Sequence, residues 1–173
     1  MMGKKGQFYF IAVIILAAVF AGFITDSNKL TYTSASKFSA EQNNINTESS
    51  YLMDYFSREQ ILPPDQDAIL SNFSDDCVNE VGLDKNSFFL YGNLSTVTLS
   101  GNKLSGTDLY INTGYGAFAV SNTSVFKSRY PLSGDNVSLV LGGIYYNFTF
   151  HQGENFYYLI QYPDGSQSFV FSG

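Results

Sequence analysis

From Asn136 to Phe150, apolar and polar residues alternate on either side of a Gly142-Gly143 pair, and this stretch limits the possible folds more than any other. Val137, Leu139 and Leu141 alternate with Asn136, Ser138 and Val140 before the glycines; Tyr146, Phe148 and Phe150 alternate with Asn147, Thr149 and His151 after them. A period of two sends successive side chains to opposite faces of a strand, and two glycines supply the positive φ angles of a tight hairpin turn. The pattern therefore predicts an antiparallel hairpin. A second is predicted over "NFYYLIQYPDGSQSFVFS", turning at Pro163-Asp164-Gly165. Together they predict a four-stranded meander with one apolar and one polar face, which needs a cover.

Upstream, "SFFLYGN", "LSTVTLSGN", "TDLYINTG" and "GAFAVSN" are short strand candidates separated by Gly and Asn. The chain holds 13 Tyr, 16 Phe and no Trp, with many Ser, Thr and Asn, a composition that suits half-buried pleated sheets with hydroxyl-rich outer faces. The cover is expected from residues 35–60, where Phe38, Ile45 and Leu52 recur every seven residues with Tyr55 and Phe56 on the same side. Glu41, Gln42, Asn44, Glu48 and Arg58 form the polar face of this helix, and Pro63-Pro64 ends it. Asp65 to Leu70 reads as the first turn of a short helix, and Asp75-Asp76 as a solvated cap. The expected fold class is α+β, an amphipathic helix packed on an antiparallel β-sheet meander.

Phe8 to Ile24 contains no charged residue, and as a helix it spans about 26 Å, enough with its flanks to cross a hydrocarbon core. Lys4 and Lys5 precede it, and the chain beyond holds 7 basic against 15 acidic residues. The positive-inside rule then keeps the amino terminus cytoplasmic and puts the body outside the cell membrane. Three fates are open to the segment. It is a secretory signal cut after Val19-Phe20-Ala21, or an uncleaved single-pass anchor, or a segment processed at the small residue Gly6, directly after the lysines.

Lys4-Lys5-Gly6-Gln7 followed by "FYFIAVIILAAVFAGFI" resembles the class III signal peptide of archaeal type IV pilin-like proteins. The resemblance covers roughly the first 25 residues. It implies cleavage between Gly6 and Gln7 by a prepilin peptidase, retention of the apolar helix as an anchor, and its later use as the core of a homo-oligomeric filament. A helix apolar all round must be buried in lipid or against its own copies, so one segment serves both states. One position departs from the family: the Glu found at the fifth mature residue of many relatives is here Ile11. The region from Phe38 to Asn93 also resembles uncharacterised membrane-anchored proteins that recur in small-genome archaea. The expected organisation is a leader at residues 1–6, the pilin-like helix at 7–25, a polar spacer at 26–36, a helical segment at 37–86 and the β domain at 87–173.

The remaining residues exclude more than they assign. A net charge of −6, with no cluster of Lys and Arg after Lys5, argues against nucleic acid as a partner. Cys77 is the only cysteine, so no intrachain disulfide forms, and it reads as a small buried hydrophobe. His151 reads as an outward-facing strand residue. Gly114-Tyr-Gly116-Ala-Phe-Ala119 mimics a dinucleotide fingerprint, with Asp135 downstream, but the fingerprint needs a helix where "AFAVSNTSVF" reads as strand and turn. The sequence predicts no catalytic residue, metal site or cofactor. Asn72, Asn93, Asn122, Asn136 and Asn147 open Asn-x-Ser/Thr sequons and are candidate glycosylation sites on an exported body. Tyr145, Tyr157, Tyr158 and Tyr162 are candidates for a surface that meets glycans or partner subunits. The expected function is structural, a pilin-like subunit or pseudopilin displayed outside the cell. The alternative is a non-polymerising, anchored or secreted ectodomain that binds a partner or glycan.

Overall fold

The structure, a computed structural model, describes residues 39–121, 124–153, 155–162 and 168–172. The leader junction Gly6-Gln7, the apolar run Phe8–Ile24, Phe38, Asn122 and the turn Pro163-Asp164-Gly165 lie outside these residues. The chain divides into two compact units, Met1–Asn44 and Ile45–Gly173. In the first, the described residues 39–44 are helical.

Among the described residues there are two helices and two antiparallel sheets, so the fold is α+β. Helix α1 covers residues 39–59. It stops as the sequence predicts, ahead of Pro63-Pro64, and the stop has a local cause. Gln60 takes a left-handed φ of 51°, and the Ile61 N–H reaches back to the Phe56 carbonyl at 3.3 Å, the closing bond of a Schellman motif. The two prolines then open α2 (Pro63–Val81), where a missing N–H costs nothing and the fixed φ suits a helix. This helix is longer than the short one predicted from Asp65. Asp75 and Asp76 accordingly lie within α2 rather than at a cap.

The strands are β1 (Asn86–Gly92), β2 (Thr96–Lys103), β3 (Leu109–Asn112), β4 (Ala117–Ala119), β5 (Ser124–Pro131), β6 (Asn136–Leu141), β7 (Ile144–Thr149), β8 (Asn155–Gln161) and β9 (Ser168–Ser172). They form a five-stranded sheet of order β5-β2-β1-β8-β9, here sheet A, and a four-stranded sheet B of order β4-β3-β6-β7. Both predicted hairpins are present, but they do not make one meander: β6-β7 belongs to sheet B and β8-β9 to sheet A. The reason is in the side chains of β8. Phe156, Tyr158 and Ile160 alternate with Tyr157 and Leu159, so neither face is polar, and a strand apolar on both sides must be covered on both sides. β6 and β7 do have a polar face and take the outer layer.

Sheet A is thus the wall between two cores. Phe88, Leu90, Val97, Leu99, Tyr157 and Leu159 face sheet B, where they meet Leu109, Ile111, Val137, Leu139, Phe148 and Phe150. The other face presents Phe89, Tyr91, Phe156, Tyr158 and Ile160 to Ile45 and Phe56 of α1 and to Leu70, Cys77, Val78 and Val81 of α2. The helical cover predicted over the sheet is therefore present, with Leu52 half-buried in the expected stripe. Tyr55 is off the stripe and exposed. Ser49, not singled out in the sequence, takes a fully buried place between Ile45 and Phe56. Tyr157 and Tyr158 are both buried for the same reason, so neither offers an outward aromatic surface.

Small residues set how closely α2 approaches. Ser74 of α2 and Ser87 and Ser100 of the sheet are fully buried, and α2 rests on β1 and β2. The Ser87 and Ser100 hydroxyls find no hydrogen-bond partner among the described residues. Next to Ser100, Gly101 lies opposite Phe88, and a Cβ there would stand 2.0 Å from the Ser87 carbonyl oxygen. Adjacent alanine substitutions should therefore differ sharply. Gly101→Ala should cost about 2–3 kcal/mol or prevent folding. Ser100→Ala, which removes an unpaired buried hydroxyl, should be neutral or stabilising by about 0.5–1 kcal/mol. Urea unfolding of both variants checks this, and equal losses would contradict the close approach at Gly101.

Candidate functional site

Sheet B has one face packed in the core, so its other face holds the outward chemistry of the body. In β3, β6 and β7, residues of one parity point into the core and those of the other point out. Pairing fixes their rows: Tyr110 is opposite Val140, which is opposite Tyr145; Asn112 is opposite Ser138, which is opposite Asn147; and Asn136 is opposite Thr149. Tyr145 is 71 % exposed and Tyr110 42 %. Strands lie about 4.8 Å apart, so these two phenols stand roughly 10 Å apart with Val140 between them. No charged side chain belongs to these rows, and Asp135 lies just before their end.

The register brings two predicted sequons together. Asn136-Val-Ser138 and Asn147-Phe-Thr149 run antiparallel, and each sequon's hydroxyl serves the asparagine of the other. Ser138 Oγ donates to Asn147 Oδ1 at 2.7 Å, and Thr149 Oγ1 donates to Asn136 Oδ1 at 3.1 Å. Asn136 Nδ2 is committed to Asp135 Oδ1 at 2.5 Å. The turn that sets this register is the expected one: Gly142 and Gly143 have φ of 56° and 83°, and Leu141 pairs directly with Ile144.

The other predicted sites are scattered. Asn72 is exposed in the middle of α2, and Ser74 of its sequon is buried, donating to the Ser71 carbonyl at 2.8 Å. Asn93 is half-buried in the β1-β2 turn, where its Oδ1 accepts the N–H groups of Ser95 and Thr96 at 2.9 and 3.3 Å. His151 is exposed, but it follows β7 rather than standing on its outer face, and its backbone is held by Asn155. Residues Ala117–Ala119 form strand β4, where the sequence reads as strand and turn. Tyr162 is half-buried with the Lys85 ammonium 4.9 Å above its ring.

Two further clusters stand outside sheet B. A groove of about 470 Å³ between α1 and α2 is bordered by Tyr51, Leu52, Tyr55, Ile69 and Phe73. A polar cleft of about 260 Å³ lies where α2 crosses β5. There Lys127 Nζ meets Asp75 Oδ2 at 2.8 Å and Ser71 Oγ at 2.7 Å, and Arg129 meets Asp67 Oδ2 at 2.6 Å. Both cations are engaged, so this cleft reads as a clasp between helix and edge strand. β5 is not delimited as a strand by the sequence pattern, because its alternation of Val125, Lys127 and Arg129 with Phe126 and Tyr130 is interrupted by charge. Among the described residues no three His, Cys, Asp or Glu side chains are placed to hold a metal ion, and no helix is long and apolar enough to cross a membrane. No protein-family model, curated protein or solved structure matches the chain.

Cys77 is free and buried on the face of α2 that meets sheet A. Burial, then the carboxylates of Glu48, Glu80 and Asp76, pushes its thiol up to about 12. Tyr158 is also pushed up to about 12, by burial and then by Cys77, and its hydroxyl donates to Asn46 Oδ1 at 2.5 Å. Both groups hold their protons more tightly folded than unfolded. Their contribution to stability is therefore complete below the unfolded values of 9.0 and 10.0 and is lost as pH rises toward 12. The urea midpoint should be level up to about pH 8.5 and fall steadily above it. In Cys77→Ala the fall should be shallower between about pH 9 and 10. A Cys77→Ala curve parallel to wild type over that interval would contradict a protonated, buried thiol.

Proposed function

We propose that the protein is a surface-displayed subunit of the type IV pilin-like kind, anchored by Phe8–Ile24 and carrying its β body outside the cell. The observation that carries this reading is the placement of α1. Helix α1, which lies carboxy-terminal to the apolar run in the sequence, packs on sheet A through Ile45, Leu52 and Phe56 and so belongs to the core beneath the helices. The helical half of pilin-like proteins packs on a sheet in the same manner. Lipid and a bundle of identical helices are both apolar surroundings, so moving Phe8–Ile24 from one to the other needs little change in its burial.

A second reading is favoured by two observations. Ile11 cannot supply the carboxylate that many pilin relatives carry at that position, and the outward rows of Tyr110, Asn112, Ser138, Tyr145 and Asn147 form a neutral surface of rings, amides and hydroxyls. A non-polymerising anchored ectodomain would use that surface for contact with a glycan or partner. The experiment that separates processing routes is amino-terminal sequencing of the protein isolated from its own cell membranes. The pilin-like reading predicts a start at Gln7. A start at Met1, Met2 or near Gly22 would overturn it and leave the ectodomain reading.

A further inference from the structure

We propose that Asn147 is an N-glycosylation site whose first sugars lie along Tyr145 and cover the free edge of sheet B. This rests on the outward display of the body argued above.

Geometry selects Asn147 among the described sequons. In a strand, residues two apart share a face, so Tyr145, Asn147 and Thr149 stand in a row on the outer side of β7. In the helical sequon at Asn72 the two key residues point apart, and the Ser74 hydroxyl is buried. Asn93 is half-buried with its carboxamide oxygen tied into a turn. Asn136 Nδ2 donates to the Asp135 carboxylate. Asn147 differs from all three. It is exposed, its oxygen is held by Ser138 Oγ at 2.7 Å, and its Nδ2 is left toward solvent with no partner among the described residues. A glycan on Nδ2 leaves that hydrogen bond intact, because the carboxamide oxygen is not consumed.

The place of β7 in the sheet is the independent observation. It is an edge strand, reading Ile-Tyr-Tyr-Asn-Phe-Thr without proline or charge, and Ile144 and Tyr145 are 53 % and 71 % exposed. Exposed edges recruit other strands unless they are guarded. The opposite edge, β4, has only three residues, and β5 at the edge of sheet A carries Lys127, Arg129 and Pro131. The fourth edge, β9, has five residues and, like β7, no proline or charge; β7 is the edge of sheet B that is long and unguarded by its own side chains. A sugar rooted at its middle supplies the guard, and the Tyr145 ring, two residues before the asparagine on the same face, offers a π surface to the C–H groups of the first residue.

The group transferred is an oligosaccharide joined through its anomeric carbon to a lipid phosphate. The bond between Asn147 Nδ2 and that carbon forms as the carbon–oxygen bond to the phosphate breaks. The lipid phosphate leaves, and the amide gives up one proton to it. The edge position of β7 lets a transferase reach the sequon against pairing with β6 alone.

The test uses the full chain isolated from its own cells, digested and analysed by mass spectrometry, with protease accessibility of the body measured on intact cells in parallel. The expected result is an accessible body whose Asn147 peptide carries a sugar mass that Asn147→Gln and Thr149→Ala abolish. Asn147 bare on an accessible body overturns this inference and leaves outward display standing. Asn147 bare on a protected body overturns both. Stacking on Tyr145 has its own readout: the glycosylated chain should melt about 2–4 °C above Asn147→Gln made in the same cells, and the two should melt alike when made in a host without the transferase. Tyr145→Ala should keep the sugar mass and lose that difference, whereas Tyr145→Phe should keep both. A difference that survives in Tyr145→Ala overturns the stacking.

Discussion

Everything in this body depends on a sheet whose central strands have no face for water. β1, β2 and β8 bury nearly every side chain, and the alternation that would normally separate inside from outside here separates one core from another. Phe88 and Leu90 lean toward sheet B while Phe89 and Tyr91 lean toward the helices, within four consecutive residues. Full burial of such side chains is worth about 1.5–3 kcal/mol each, so neither cover is dispensable. Remove the helices and a row of aromatics meets water; remove sheet B and the opposite row does. The polar groups at the ends of these strands are satisfied in the same spirit. Asn86 reaches Thr107, Gln161 and the Leu104 N–H; Asn155 holds the carbonyls of Gly92, His151 and Gly153 where the chain crosses from sheet B to sheet A.

A consequence follows for function. With the central strands of sheet A enclosed, outward chemistry is left to the helices, to edge strand β5 and to the open face and edges of sheet B. The helical side shows tyrosines over a groove, and β5 is pinned to α2 by two ion pairs that are individually weak at a surface. Sheet B shows a neutral face of tyrosine, asparagine, serine and threonine. Such a face has no charge with which to bind metal or phosphate. It offers rings for stacking and amides and hydroxyls for hydrogen bonds. Sheet B lies beyond sheet A from the helices.

The parts legible in the sequence were those fixed by short-range rules. Gly142-Gly143 determines the hairpin, and once a two-residue loop is granted the pairing of Asn136 with Thr149 and of Ser138 with Asn147 follows by counting outward. The stop of α1 before Pro63-Pro64 is equally local. What local pattern could not show was partnership between hairpins. Two adjacent hairpins suggest a meander, but the apolar character of both faces of β8 assigns it to the enclosed sheet. That signal is present in Phe156-Tyr157-Tyr158, where consecutive rings occupy both faces of the strand. β5 was illegible because Lys127 and Arg129 break its pattern, and their reason for being there, Asp67 and Asp75 on α2, lies more than fifty residues away. Tyr110 is illegible for a related cause: its exposure depends on β3 lying beside β6 with its outer face uncovered.

The central claim is that sheet A is the shared wall of both cores, and amide hydrogen exchange followed by mass spectrometry on the intact chain tests it most directly. Strands covered on both faces open only when the whole body unfolds, whereas a strand with one wet face and a free edge opens earlier. The account predicts that peptides from β1 and β8 exchange slowest and at a common rate, with β7 faster. If the β6-β7 hairpin outlasts β1 and β8, or if β1 and β8 exchange at unrelated rates, the two cores do not share a wall and the architecture described here is wrong.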